Sequence, residues 1–168
     1  MKIVKFIAYL IVGLVVLLSA TFVLARFADG PLTMIPGGPL KTGEMLATPS
    51  DWSFAANIEE IEFESDGRSR TAWIAVHDGK AYIPANSGFP PMKSWHKKAL
   101  TQPTAVIRIE GIRYPINLNR VDESSADFAS VAAVLVSKYP AAAAMADNPS
   151  PGAIWLFELG PRENPPAP

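Results

Sequence analysis

Chemistry in this chain would begin with a run of cations and hydroxyls, followed further along by cations set around an indole. Arg68, Ser69, Arg70 and Thr71 put two guanidiniums and two hydroxyls at the mouth of a candidate strand. Lys93, Trp95 and Lys97 place two ammonium groups beside a large aromatic plate, and Ser87 adds a hydroxyl in the preceding loop. Guanidinium and ammonium groups bind phosphate or carboxylate oxygens through charge-assisted hydrogen bonds. An aromatic plate suits a flat ring. The set therefore fits a planar anionic ligand. The same residues also fit a plainer role, a solvated basic rim with Trp95 as a core anchor, because charged rims are common and ligand pockets few.

Charge is unevenly distributed around these residues. Between Asp66 and Arg113 lie eight basic side chains and three acidic ones, in a chain whose net charge is −1. The basic ones are Arg68, Arg70, Lys80, Lys93, Lys97, Lys98, Arg108 and Arg113. A near-neutral total gives no field that would gather nucleic acid, so no nucleic-acid partner is expected. The balancing acids, among them Glu59, Glu60, Glu62 and Glu64, fall in Gly43–Asp66, which holds no Lys or Arg. They are expected on a solvated strand face.

Other chemistries find little support. There is no cysteine, which excludes a disulfide framework, a thiolate metal site and a catalytic thiol. The two histidines, His77 and His96, lack metal-ligand spacing, so no metal is expected. No Gly-rich phosphate loop and no nucleophile elbow occurs. No side chain stands out as catalytic. If the protein is an enzyme, a bound cofactor must supply the reactivity.

The elements that would position these residues are mostly strands. Thr71–Val76 and Ala81–Ile83 flank Asp78-Gly79, a pair suited to the positive φ angles of a type I′ turn. Thr104–Ile109 and Ile112–Leu118 flank Glu110-Gly111 in the same way. Glu59–Ser65 reads as an edge-like strand entering the turn Asp66-Gly67, and Ala153–Leu159 as a buried last strand. Between the hairpins, Pro91–Leu100 reads as a short helix bounded by prolines. Ser124–Lys138 reads as a helix capped by Ser124 or Ser125, with Phe128, Val131, Ala132, Leu135 and Val136 on one face. Asn148–Gly152 reads as a loop. The predicted fold is mainly β within the α+β class: a small six-stranded antiparallel barrel with two helices, since closure removes exposed strand edges.

At the N-terminus, Phe6–Ala25 is apolar and uncharged. As a helix it would extend about 30 Å, the thickness of a bilayer's hydrocarbon layer. Lys2 and Lys5 precede it, which predicts a cytoplasmic N-terminus and a periplasmic or otherwise extracytoplasmic domain beyond a single pass. A cleaved signal peptide ending near Val23-Leu24-Ala25 is the competing reading, although its apolar core would be unusually long. The chain thus divides into a transmembrane anchor (1–26), a Pro/Gly-rich connector (27–42), a barrel domain (43–160) and a disordered tail (161–168). The connector holds Leu32, Met34, Ile35 and Leu40, too many apolar residues for a free linker. It is expected to lie against the domain or the membrane surface.

In order of elements from Gly30 to Leu159, the chain resembles the split β-barrel proteins that bind flavin or deazaflavin nucleotides, in particular the deazaflavin-dependent nitroreductases. Gly67–Arg70 matches their Gly/Arg/Ser-rich turn, Ala85-Asn86-Ser87-Gly88 their loop, Trp95 their tryptophan and Pro103 their proline. His96-Lys97-Lys98-Ala99-Leu100 stands where that group carries Asn-Leu. The resemblance implies FMN or a deazaflavin as cofactor and redox chemistry. Phosphate would lie on Arg68, Ser69, Arg70 and Lys93, and the ring near Trp95. The alternative is a non-catalytic accessory subunit of a larger membrane complex, or a homodimer, with Gly13, Ser19, Ala20 and Thr21 letting the anchor pack on another helix.

Overall fold

The computed structural model describes residues 2–86, 94–142 and 154–162. The elements in order are α1 (Lys2–Ala25), a 3-10 turn (Ser53–Ala55), β1 (Glu60–Ser65), β2 (Arg68–Trp73), β3 (Ala75–His77), β4 (Lys80–Asn86), α2 (Trp95–Lys98), β5 (Thr104–Ile109), β6 (Ile112–Arg120), α3 (Ala126–Lys138) and β7 (Ile154–Pro161). Ser87, Lys93, the start of the Pro91–Leu100 helix, the Asn148–Gly152 loop and the tail beyond Arg162 lie outside the described residues.

Three two-residue turns set the strand pairing. Asp66-Gly67, Asp78-Gly79 and Glu110-Gly111 all take positive φ at both positions, from 48° to 83°. That is the turn whose twist matches the strands it joins. Every ladder is antiparallel, and the sheet order is β2-β1-β5-β6-β7-β4-β3. Its first and last members are consecutive in the chain, with only Ile74 between them. The two edges are therefore halves of one bent strand, and the sheet must curl for both halves to pair. Counted as ladders there are seven strands; counted as continuous chain there are the six expected. β1 lies between β2 and β5, so it is interior and not edge-like.

Strand alternation fills the barrel. Ile61, Phe63, Ile83, Ile107, Ile116 and Phe157 point inward and are almost fully buried. Trp52 plugs the interior, its amide donating to the Gly79 carbonyl and its ring edge-on to Tyr114. On the outside, α3 packs Val131 and Leu135 against Ala75, Tyr82 and Leu156. Ser125 caps α3 through Phe128 N at 3.1 Å. Val136, expected on the buried face, is exposed, and Val134 packs in its place.

The bend at Ile74 is built from the C-terminal end of α3. Breaking a strand frees backbone groups that must find partners. The Ile74 amide donates to Tyr139 Oη at 3.2 Å, and that hydroxyl lies 2.8 Å from the Ile74 carbonyl and 2.6 Å from that of Glu59. Lys138 Nζ donates to the carbonyls of Ile74, Ile58 and Ala56. Trp73 stacks on Tyr139 with centroids 4.5 Å apart.

The connector lies on the domain. Gly37 exchanges both backbone hydrogen bonds with Ser69, adding to the free edge of β2. Further on, Glu44 and Leu46 bond to Arg113 at the start of β6, beyond the reach of β7. The acids of β1 hold this belt, in contrast to the expected solvated face. Glu62 pairs with Arg108, and Glu64 accepts the Leu40 amide at 2.8 Å. β7 continues to Pro161, and the Arg162 amide donates to Thr48 Oγ1, so order extends past the expected start of the tail.

Candidate functional site

β2 sorts the four residues of its first turn onto two faces. Ser69 and Thr71 face the connector. Ser69 is fully buried and its hydroxyl donates to the Gly38 carbonyl at 2.6 Å; the Thr71 hydroxyl donates to the Thr33 carbonyl at 2.8 Å. Both hydroxyls expected to meet a ligand instead fasten the connector. Arg68 and Arg70 project from the other face.

Arg70 is the centre of the site. Its guanidinium lies 5.4 Å from the Phe63 ring and 5.5 Å from the Trp95 ring, within cation–π range of both. It donates to Ser65 Oγ at 3.3 Å. Burial, and then the neighbouring charge of Arg68, push its pKa down to about 10, with Asp66 opposing them. Arg68 Nε is buried and has no hydrogen-bond partner among the described residues. Neither arginine forms an ion pair among those residues. Arg68 and Arg70 thus bring two guanidiniums to one face of β2, one half-buried against two aromatic rings and the other with its Nε buried.

Trp95 does not serve as an open plate. It is 6% exposed, and it packs on Phe63 at 4.8 Å and Phe157 at 5.4 Å while Arg70 lies over it. It is the core anchor of the plainer reading. The helix carrying it turns about 100° per residue. Lys97, two positions on, therefore lies on roughly the opposite side and is exposed. Lys98 pairs with Asp66 across the mouth of a cleft of about 300 Å³. Ser65, Trp95, Thr101, Gln102 and Thr104 line that cleft. The cleft offers hydroxyls and an amide for hydrogen bonding, and Arg70 contacts two of its lining residues, Ser65 and Trp95. Sequence reading missed Lys98, Asp66 and the Thr101–Thr104 segment, because only the fold brings the β1–β2 turn next to the end of α2.

Arg108, Arg113 and Lys80 are taken up by contacts within the fold. Arg108 is a half-buried hub, with Nη1 3.0 Å from Asp29 Oδ2, bonds to Thr42 and a pairing with Glu62. Arg113 donates to the carbonyls of Gly43 and Leu40 at 3.0 and 2.9 Å. Lys80 pairs with Glu158 at 3.3 Å. His96 is buried edge-on to Trp155, and His77 ends β3, 3.5 Å from Asp78. No group of three metal-binding side chains occurs among the described residues.

No family model and no curated protein matches this chain. Among the solved structures similar to it are two with the following alignments. HutZ, the heme storage protein from Vibrio cholerae, aligns with a TM-score of 0.47 and 11% identity over 63% of this chain and 83% of its own. A pyridoxamine 5′-phosphate oxidase-like protein from Listeria innocua aligns with a TM-score of 0.42 and 13% identity over 62% of this chain and 85% of its own. At these identities the likeness is one of fold alone.

Proposed function

We propose that this chain is a membrane-tethered split barrel that binds a phosphate-bearing ligand, of the flavin or deazaflavin nucleotide class, against Arg68 and Arg70. The observation that carries the reading is the arginine pair on the inner side of β2, which forms no ion pair among the described residues and whose buried Arg68 Nε has no hydrogen-bond partner among them. A phosphate group would answer both guanidiniums. The cleft beside α2 would take the adjoining polar part of the ligand. The residues do not fit a ring stacked on Trp95, whose faces are already covered. A bound flavin would supply hydride or single-electron chemistry; the chain's own groups would hold the phosphate and exclude water around it. In this reading α1 anchors the domain, with the N-terminus cytoplasmic and the barrel on the far side of the bilayer.

Thermal unfolding with FMN, riboflavin and a deazaflavin nucleotide tests this. Ligand at a hundred times its Kd should stabilise the protein by about 2.7 kcal/mol. FMN should act and riboflavin, without phosphate, should not. No shift with any nucleotide, in a protein that purifies colourless, overturns the reading.

The accessory-subunit reading has its own support: the hydroxyls of Ser69 and Thr71 and the side chains of Arg108 and Arg113 are taken up inside the fold. It predicts a partner that stays bound through mild-detergent purification, and a lone monomer would count against it.

A further inference from the structure

Immediately after α1 the chain forms a tight hairpin whose only charged residue, Asp29, is at its base and paired with Arg108. The amides of Arg26, Phe27 and Ala28 bond back to Val23, Leu24 and Ala25, so the helix runs on without a flexible break, and Ala25 is fully buried. Gly38 N donates to the Ala28 carbonyl at 3.2 Å at the hairpin base, and Leu32 and Ile35 exchange hydrogen bonds of 3.0 and 2.9 Å near its tip. The two arms touch backbone to backbone: a Cβ on Gly37 would lie 1.7 Å from the Gly30 carbonyl oxygen. Thr33, at the tip, is held at φ 56°. From Gly30 to Leu40 there is no charged side chain. Yet Phe27, Leu32 and Met34 are 75%, 48% and 93% exposed.

An exposed apolar tip on a stiff, charge-free loop needs an occupant, and its attachment to α1 identifies one. The 24 residues of α1 extend about 36 Å, against about 30 Å of hydrocarbon. If α1 crosses the bilayer, its last turn emerges in the headgroup layer, and Phe27 follows two residues later. The tip is five residues beyond the base, at most about 16 Å away. We propose that Phe27 and the Leu32–Ile35 tip form a foot seated in the headgroup layer of the bilayer that α1 crosses, which fixes the tilt of the barrel on that surface. This inference rests on reading α1 as a membrane span.

Because the chain has no cysteine, single spin labels report cleanly. Full-length Met34→Cys, Leu32→Cys, Leu14→Cys and Ser137→Cys, labelled and reconstituted into phosphatidylcholine–phosphatidylglycerol vesicles, are compared for collision with oxygen and with a water-soluble nickel chelate. Leu14 lies inside α1, and Ser137 is exposed on α3. The expected result is position 14 in hydrocarbon, position 137 in water, and positions 32 and 34 between them, with nickel collisions reduced at least threefold relative to 137. Positions 32 and 34 reading like 137, while 14 reads as lipid, overturns the foot and leaves the anchor standing. Position 14 reading as water overturns both.

Discussion

At the scale of single residues, the site depends on which charges the fold has already matched. Arg108 and Arg113 are satisfied by Asp29, Glu62 and connector carbonyls. Arg68 and Arg70 are not matched by any carboxylate among the described residues. Arg68→Gln should leave the fold intact and abolish the stabilisation by FMN; an undiminished thermal shift would remove Arg68 from the site. Ser69→Ala probes the opposite assignment. With its hydroxyl gone, the buried Gly38 carbonyl lacks its donor, which costs about 1–3 kcal/mol in denaturant unfolding. Its effect on ligand affinity should be nil. A variant of unchanged stability and weakened binding would return Ser69 to the ligand.

At the scale of elements, two joints hold the architecture. One is the clamp on the bent strand. Tyr139→Phe removes the hydroxyl that receives the Ile74 amide and should cost about 1–3 kcal/mol, read as a lower denaturation midpoint. A midpoint equal to the parent's would mean that water accepts the Ile74 amide in place of the hydroxyl, with Lys138 still donating to the carbonyls. The other joint is the connector hairpin. Gly37→Ala forces a Cβ into the Gly30 carbonyl, so the arms must part and the belt must leave β2. The expected loss is about 1–3 kcal/mol, with new protease cleavage between 27 and 42. Unaltered protease resistance would show that the belt is held elsewhere, at Arg108 and Arg113.

At the scale of the whole molecule, the connector and the barrel meet at Asp29, four residues after α1. Burial acts to raise the pKa of its carboxyl. Hydrogen bonds from the Thr42 hydroxyl, the Lys41 amide, Arg108 and the Thr42 amide more than offset this and hold it well below the ordinary 3.8. A depressed carboxyl gives stability that is fully present above its unfolded pKa and is lost as pH falls through the folded value. The protein should therefore lose stability progressively once the pH drops below about 4. Asp29→Asn should be less stable at neutral pH and should flatten that part of the curve. Parallel curves of melting temperature against pH for parent and variant would assign the acid sensitivity to other carboxylates.

The local pieces of this architecture were written in the sequence because each rests on short-range physics. Asp-Gly and Glu-Gly pairs between β-branched runs impose left-handed turns. Alternation marks the buried faces of β1 and β5. Ser125 with the apolar spacing behind it makes α3, and the length and apolarity of α1 fit a bilayer. What the chain pattern left open was which partner each polar group would take, because that depends on residues brought close only by folding. Arg68 and Arg108 read alike in one dimension; Arg108 lies 79 positions from the connector aspartate that neutralises it, while Arg68 pairs with no carboxylate among the described residues. Ser69 and Trp95 likewise read as ligand groups until the connector covered one and the barrel core closed around the other. Tertiary structure decided the site because charge and hydroxyl matching is a long-range contest, settled by topology and not by neighbours in the chain.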